Sequence, residues 1–115
     1  MNKYKGYGVV NIGGKKRPIK GGTNATGIFC TLRDCDLETA MNILEDVSKW
    51  RGDEIRDMIF ALLCAGCHTE KKEIDFTNFD IGDWMDERPE VITEIFNLLN
   101  RDNGKEKTKK KVTKV

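Results

Sequence analysis

From Met58 to Cys67 the chain carries no charged side chain and, two thiols apart, none that hydrogen-bonds. Around that core lies the stretch Asp53–His68, with Ile55, Met58, Ile59, Leu62 and Gly66 at the i, i+3, i+4, i+7 spacing of one helix face. A helix apolar nearly all round belongs in the centre of a core or in a membrane. Ten such residues rise only about 15 Å, half of what a bilayer requires. The stretch therefore predicts a central core helix around which the other elements pack.

The chain has 115 residues, enough for one domain with a modest core. The start, Met-Asn-Lys-Tyr-Lys-Gly, is polar, so neither a signal peptide nor a membrane anchor is expected there. In such a chain the four cysteines are expected to be free thiols in a reducing compartment. The net charge of +1 hides a segregation: residues 1–22 carry +6, residues 23–104 carry −10 and residues 105–115 carry +5. An acidic body repels phosphate, which argues against a nucleic-acid partner and for protein partners.

In chain order, Tyr7–Ile12, the Gly13-Gly14 turn and Lys15–Ile19 predict a β-hairpin, with Pro18 leaving an open edge on the second strand. Thr23 or Asn24 is expected to cap a helix reaching about Arg33, with Ile28, Phe29 and Leu32 inward. Asp36 caps the next, from Leu37 to about Trp50, with Leu37, Ala40, Met41, Leu44 and Val47 on one face. After the central helix and a polar loop, Thr77 or Asn78 caps a short helix ending near Asp86, with Phe79, Ile81 and Trp84 buried. Pro89 opens a last helix to about Arg101, with Val91, Ile92, Ile95, Phe96 and Leu99 inward and a stop at Asn103-Gly104. The fold class predicted is mainly α (α+β): an N-terminal hairpin and about five helices around a central apolar one. The domain is residues 1–102, with hairpin 7–20 and helical body 23–101; residues 103–115 read as a disordered basic tail.

The chemical motifs are few. Cys64-Ala-Gly-Cys67-His68 has the haem-attachment pattern, but it ends an apolar helix and lacks an export signal and an evident distal ligand. Zinc could use Cys64, Cys67 and His68 with Cys30 and Cys35, yet Cys30 falls mid-helix instead of on a knuckle turn. A small zinc or haem module is thus the alternative, and buried thiols the simpler account. Asp80, Asp83 and Asp86 recur every third residue, which suits a solvated helix face and not a calcium loop. Nothing assembles a nucleophile, a base and an orienting group, so no enzyme, catalytic residue or cofactor is expected. Phe76, Phe79, Trp84 and Met85 crowd a short segment, and a core of this size can leave them as a partner-binding patch rimmed by Asp80, Asp83 and Asp86.

The order of signals resembles the tail assembly chaperones of long-tailed phages, prophages and gene transfer agents. The residues carrying the likeness are Val9-Val-Asn-Ile-Gly-Gly-Lys-Lys-Arg-Pro-Ile19, Ala61-Leu-Leu-Cys-Ala-Gly66 and Thr77-Asn-Phe-Asp-Ile-Gly-Asp-Trp84, within residues 7–100. At Cys64 this family more often has a bulky apolar or aromatic residue. The resemblance implies a non-catalytic protein that binds the helical, aggregation-prone tape-measure protein, with tail-tube subunits as further partners. It would work in the bacterial cytoplasm and be absent from the finished virion; several copies per partner chain, and self-association, fit it too. A frameshifted longer form often accompanies such proteins, and Lys109-Lys-Lys111 could be encoded by slippery codons.

Overall fold

Two adjacent glycines reverse the chain at its start. Gly13 (φ 66°) and Gly14 (φ 84°) both lie in the left-handed region, as a two-residue hairpin turn of the right twist demands. They join β1 (Tyr7–Ile12) to β2 (Lys15–Lys20), paired antiparallel from Ile12 opposite Lys15 to Tyr7 opposite Lys20. The computed structural model describes residues 6–99, apart from the Val47 side chain. Beyond the hairpin come α1 (Thr23–Arg33), α2 (Leu37–Glu45), a 3-10 turn (Val47–Lys49), α3 (Gly52–Glu70), α4 (Asn78–Glu87) and α5 over residues 90–99. The mainly α (α+β) expectation holds. The predicted end of α5 near Arg101, the stop at Asn103-Gly104 and the tail 103–115 lie outside the described residues.

α3 is the centre. Its residues Asp57–Ile59 and Ala61–Cys67 are buried, and the hairpin, α1 and α4 all pack on it. The hairpin lies across the C-terminal half of α3, where Gly66 decides the approach. A Cβ there would stand 2.1 Å from the Pro18 carbonyl oxygen, so only glycine lets β2 come so near. Val10, Ile12 and Ile19 seal this contact from the strand side, with Val9 turned outward by the alternation of the strand. Leu98 and Leu99 of α5 lie over Gly8 and Gly21, covering the same inner face of the hairpin at the end away from its turn.

Several expected boundaries move. Gly22 takes the N-cap position of α1, with Thr23 and Asn24 already inside the first turn. Asp36 caps α2 as expected, accepting from the Thr39 amide at 2.8 Å, but the helix stops at Glu45 instead of running to Trp50. The Asp46 side chain accepts from both the Ser48 amide (3.1 Å) and hydroxyl (2.6 Å), a local turn that competes with helix continuation. Trp50 then folds back, donating its indole N–H to the Ile43 carbonyl and packing edge-on to Phe96 at 5.5 Å. α3 opens with the Arg51 amide donating to the Glu54 carboxylate at 2.8 Å. Thr77 and Asp80 form a reciprocal capping box at the start of α4, so Asp80 has a structural task beyond solvation.

The inward faces also need correction. On α1, Phe29 and Ala25 are buried and Leu32 is exposed. On α2, Ala40 is buried, Ile43 and Leu44 pack against the core, and Leu37 and Met41 face outward. On α4, Ile81 is buried but Phe79 is 79 % exposed, because the stripe Ile81–Trp84–Met85 lies on the opposite side of a 3.6-residue helix. Val91 and Ile95 of α5 are buried as predicted.

Candidate functional site

Two buried charge clusters tie the elements together. The Arg17 guanidinium donates to the Ile12 carbonyl (2.9 Å) and to Asp75 (2.7 Å), and lies over the rings of Trp84 (4.6 Å) and Phe76 (5.4 Å). Gly13 sits against the same Trp84, where a Cβ would come within 2.5 Å of the ring. Lys15 and Arg17 together hold the Asp75 carboxyl down at about 2. The second cluster centres on buried Asp57 of α3, which accepts from Arg33 of α1 (3.0 Å) and Asn78 of α4 (2.9 Å). Arg33 also meets Asp53 at 3.2 Å, and its charge is held more firmly by both carboxylates despite the opposing cost of burial. These clusters join helices and strand, and the first of them lines a small pocket of about 80 Å³ with Cys67 and Lys72.

The predicted partner patch does not form as one surface. Phe76 is 6 % exposed, packed edge-on to Phe60 at 5.6 Å and beside Trp84 at 6.1 Å. Trp84 and Met85 are half-buried against the core. Only Phe79 stands in solvent, with the Arg56 guanidinium 5.9 Å from its ring centre. Phe76 and Trp84 close the core over α3, and Trp84 clamps the hairpin turn at Gly13.

The thiols of the Cys64-Ala-Gly-Cys67-His68 motif point into the protein and the histidine is exposed. Burial pushes the Cys64 thiol up to about 11, with Cys67 adding to it, and burial also raises Cys67. Both thiols are therefore harder to ionise than an ordinary cysteine. Among the described residues, no three His, Cys, Asp or Glu side chains converge as a metal site.

An apolar groove lies where no site was expected. It runs between α1 and α2, has a volume of about 520 Å³, and is lined by Gly22, Thr23, Thr26, Gly27, Cys30, Leu37 and Met41. Leu37 and Met41 are 61 % and 52 % exposed, large apolar side chains presented to solvent. A Cβ on Gly27 would meet nothing within 4 Å, so the fold itself makes no demand for glycine there; its effect is to keep the groove deep. Asp34, Asp36 and Glu38, all exposed, occupy the connection and first turn beside Leu37. The signal in the sequence was a mid-helix glycine beside a second helix with two apolar stripes, 37/41 and 40/43/44.

The fold and this groove define a small helical protein built around one buried helix, with an apolar surface channel edged by acids. Comparison with protein-family models, curated proteins and solved structures found no match to the chain. No helix among the described residues is long and apolar enough to cross a membrane.

Proposed function

We propose that the chain is a non-catalytic tail assembly chaperone that binds a tape-measure protein and keeps it soluble while tail-tube subunits assemble. The observation carrying this reading is the α1–α2 groove with Leu37 and Met41 exposed on it. A monomer that buries Ile81 and Ile95 completely yet leaves these two outside gains nothing by it unless something covers them. The width of a channel between two helices suits the apolar face of a third, as in other helix-in-groove partnerships. Asp34, Asp36 and Glu38 favour a helix with Lys or Arg flanking its apolar face. The resemblance at Val9–Ile19, Ala61–Gly66 and Thr77–Trp84 supplies the partner class, and with it the bacterial cytoplasm as the place of action and absence from the finished virion. The buried thiols lend nothing to the zinc or haem alternative.

Co-expression tests the reading. A tape-measure protein encoded beside this chain is expected to be soluble only in its presence and to co-purify with it. Gly27→Leu fills the groove floor without touching the core and is expected to abolish capture while preserving the fold. Phe79→Ser is expected to leave capture intact. A tape-measure protein that stays insoluble, or that needs no help, rejects the assignment; loss of capture with Phe79→Ser alone moves the surface to α4.

A further inference from the structure

The C-terminal end of α1 sets two thiols side by side. Asp34 takes the left-handed conformation (φ 52°), and the chain folds back so that the Cys35 amide donates to the Cys30 carbonyl at 3.1 Å. The Asp34 amide donates to the Thr31 carbonyl at 3.2 Å, completing the nested pair of bonds that closes a helix in the Schellman manner. In that closure the residues joined by the longer bond bring their side chains together, and the pair is ordinarily apolar. Here both are cysteine. A single backbone hydrogen bond between them confines their Cα atoms to within about 7 Å, close to the span that a disulfide bridges.

The side chains follow the backbone. The Cys30 thiol donates to the Asp36 carbonyl at 3.8 Å, and burial together with the neighbouring Cys30 raises the Cys35 thiol, which leaves Cys30 the readier of the two to attack first. Both cysteines are half-buried, unlike Cys64 and Cys67, which are 6 % and 5 % exposed under the hairpin and α1. Cys30 also lines the groove.

We propose that Cys30 and Cys35 form a dithiol site for thiol–disulfide exchange with small disulfides of the glutathione class. The thiolate of one cysteine attacks a sulfur of glutathione disulfide; a protein–glutathione bond forms, and the other glutathione leaves as a thiolate that takes up a proton. The second cysteine loses its proton and attacks the protein sulfur of this mixed disulfide. The Cys30–Cys35 bond forms, and the second glutathione departs and is protonated. Two electrons pass from the protein to one glutathione disulfide, and both thiol protons end on the two glutathione molecules. The product clips the end of α1 to the residue before the α2 cap and removes the Cys30 thiol from its bond to Asp36. The site stands on the helix closure alone, independently of what the groove binds.

The test uses the reduced full-length protein and glutathione disulfide, read by thiol titration and peptide mass mapping. Expected are the loss of two native-accessible thiols, an intact mass lower by two hydrogens, and a linked Cys30–Cys35 peptide, with Cys64 and Cys67 alkylated only after denaturation. Cys35→Ser is expected to stop at a stable mixed disulfide, one glutathione on Cys30, and Cys30→Ser at one glutathione on Cys35. A protein whose four thiols survive the treatment, a Cys64–Cys67 link, or mixed disulfides on the wild type that never resolve would each overturn the site.

Discussion

Arg17 satisfies its burial from three directions at once: backbone carbonyls of its own hairpin, the Asp75 carboxylate, and the ring faces of Trp84 and Phe76. A guanidinium taken out of water without such partners would be strongly unfavourable. None of this could be read locally, since Asp75 lies 58 residues away in the chain and Arg17 sits in a run that looks like a solvated basic patch. The burial of Leu62, by contrast, was legible from helical spacing alone. Leu62→Ala is expected to cost about 2–5 kcal/mol in denaturant unfolding, and exposed Asp83→Ala less than about 0.5 kcal/mol. Asp75 makes a pH prediction. Its carboxyl is held at about 2 in the folded chain, below its ordinary 3.8, so the stabilisation it gives is complete above the ordinary value. It is lost as pH falls from there toward about 2. Asp75→Asn should therefore flatten the acid limb of the stability profile in that window; an unchanged profile would show that the Lys15 and Arg17 pairs contribute nothing.

At the scale of elements, the hairpin, the N-caps of α2 and α4 and the length of α3 were legible because each rests on local chemistry: paired glycines, a capping aspartate, a capping box and an uninterrupted apolar run. The facing of α2 was not. Its apolar residues at 37, 40, 41, 43 and 44 satisfy two overlapping stripes, and the choice between them is made by the packing of α1 against it, not by α2 itself. The small Ala40 allows close packing on the core and leaves Leu37 and Met41 to the groove. The sequence reading that buries Phe79 together with Ile81 overlooks that the two positions lie about 200° apart round the helix. Gly27 gives the element-scale prediction. Because nothing lies within 4 Å of its missing Cβ, Gly27→Ala adds helix propensity without a clash. It is expected to raise the unfolding free energy by about 0.5–1 kcal/mol, measured by urea denaturation. A decrease would mean that the glycine is required by the fold after all.

The whole molecule joins an acidic exterior to an apolar channel. Residues 6–99 hold 11 Lys or Arg against 17 Asp or Glu. A partner helix with basic flanks should therefore associate faster and more tightly at low ionic strength, with affinity falling several-fold once the Debye length drops below about 5 Å. Titration of a labelled amphipathic peptide at increasing salt measures this; salt-independent binding would leave the apolar channel as the sole attraction and the acidic edge without a role. The contact between Gly66 and Pro18 has a further consequence, for the order in which the protein is made. Two strands alone are at best marginally stable in water. The hairpin leaves the ribosome before α3, and the helix that receives it is finished only about 50 residues later, a wait of a few seconds at typical elongation rates. Through that interval Val10, Ile12 and Ile19 have no surface to rest on, so a protein whose proposed task is to shelter another chain begins its own existence unsheltered.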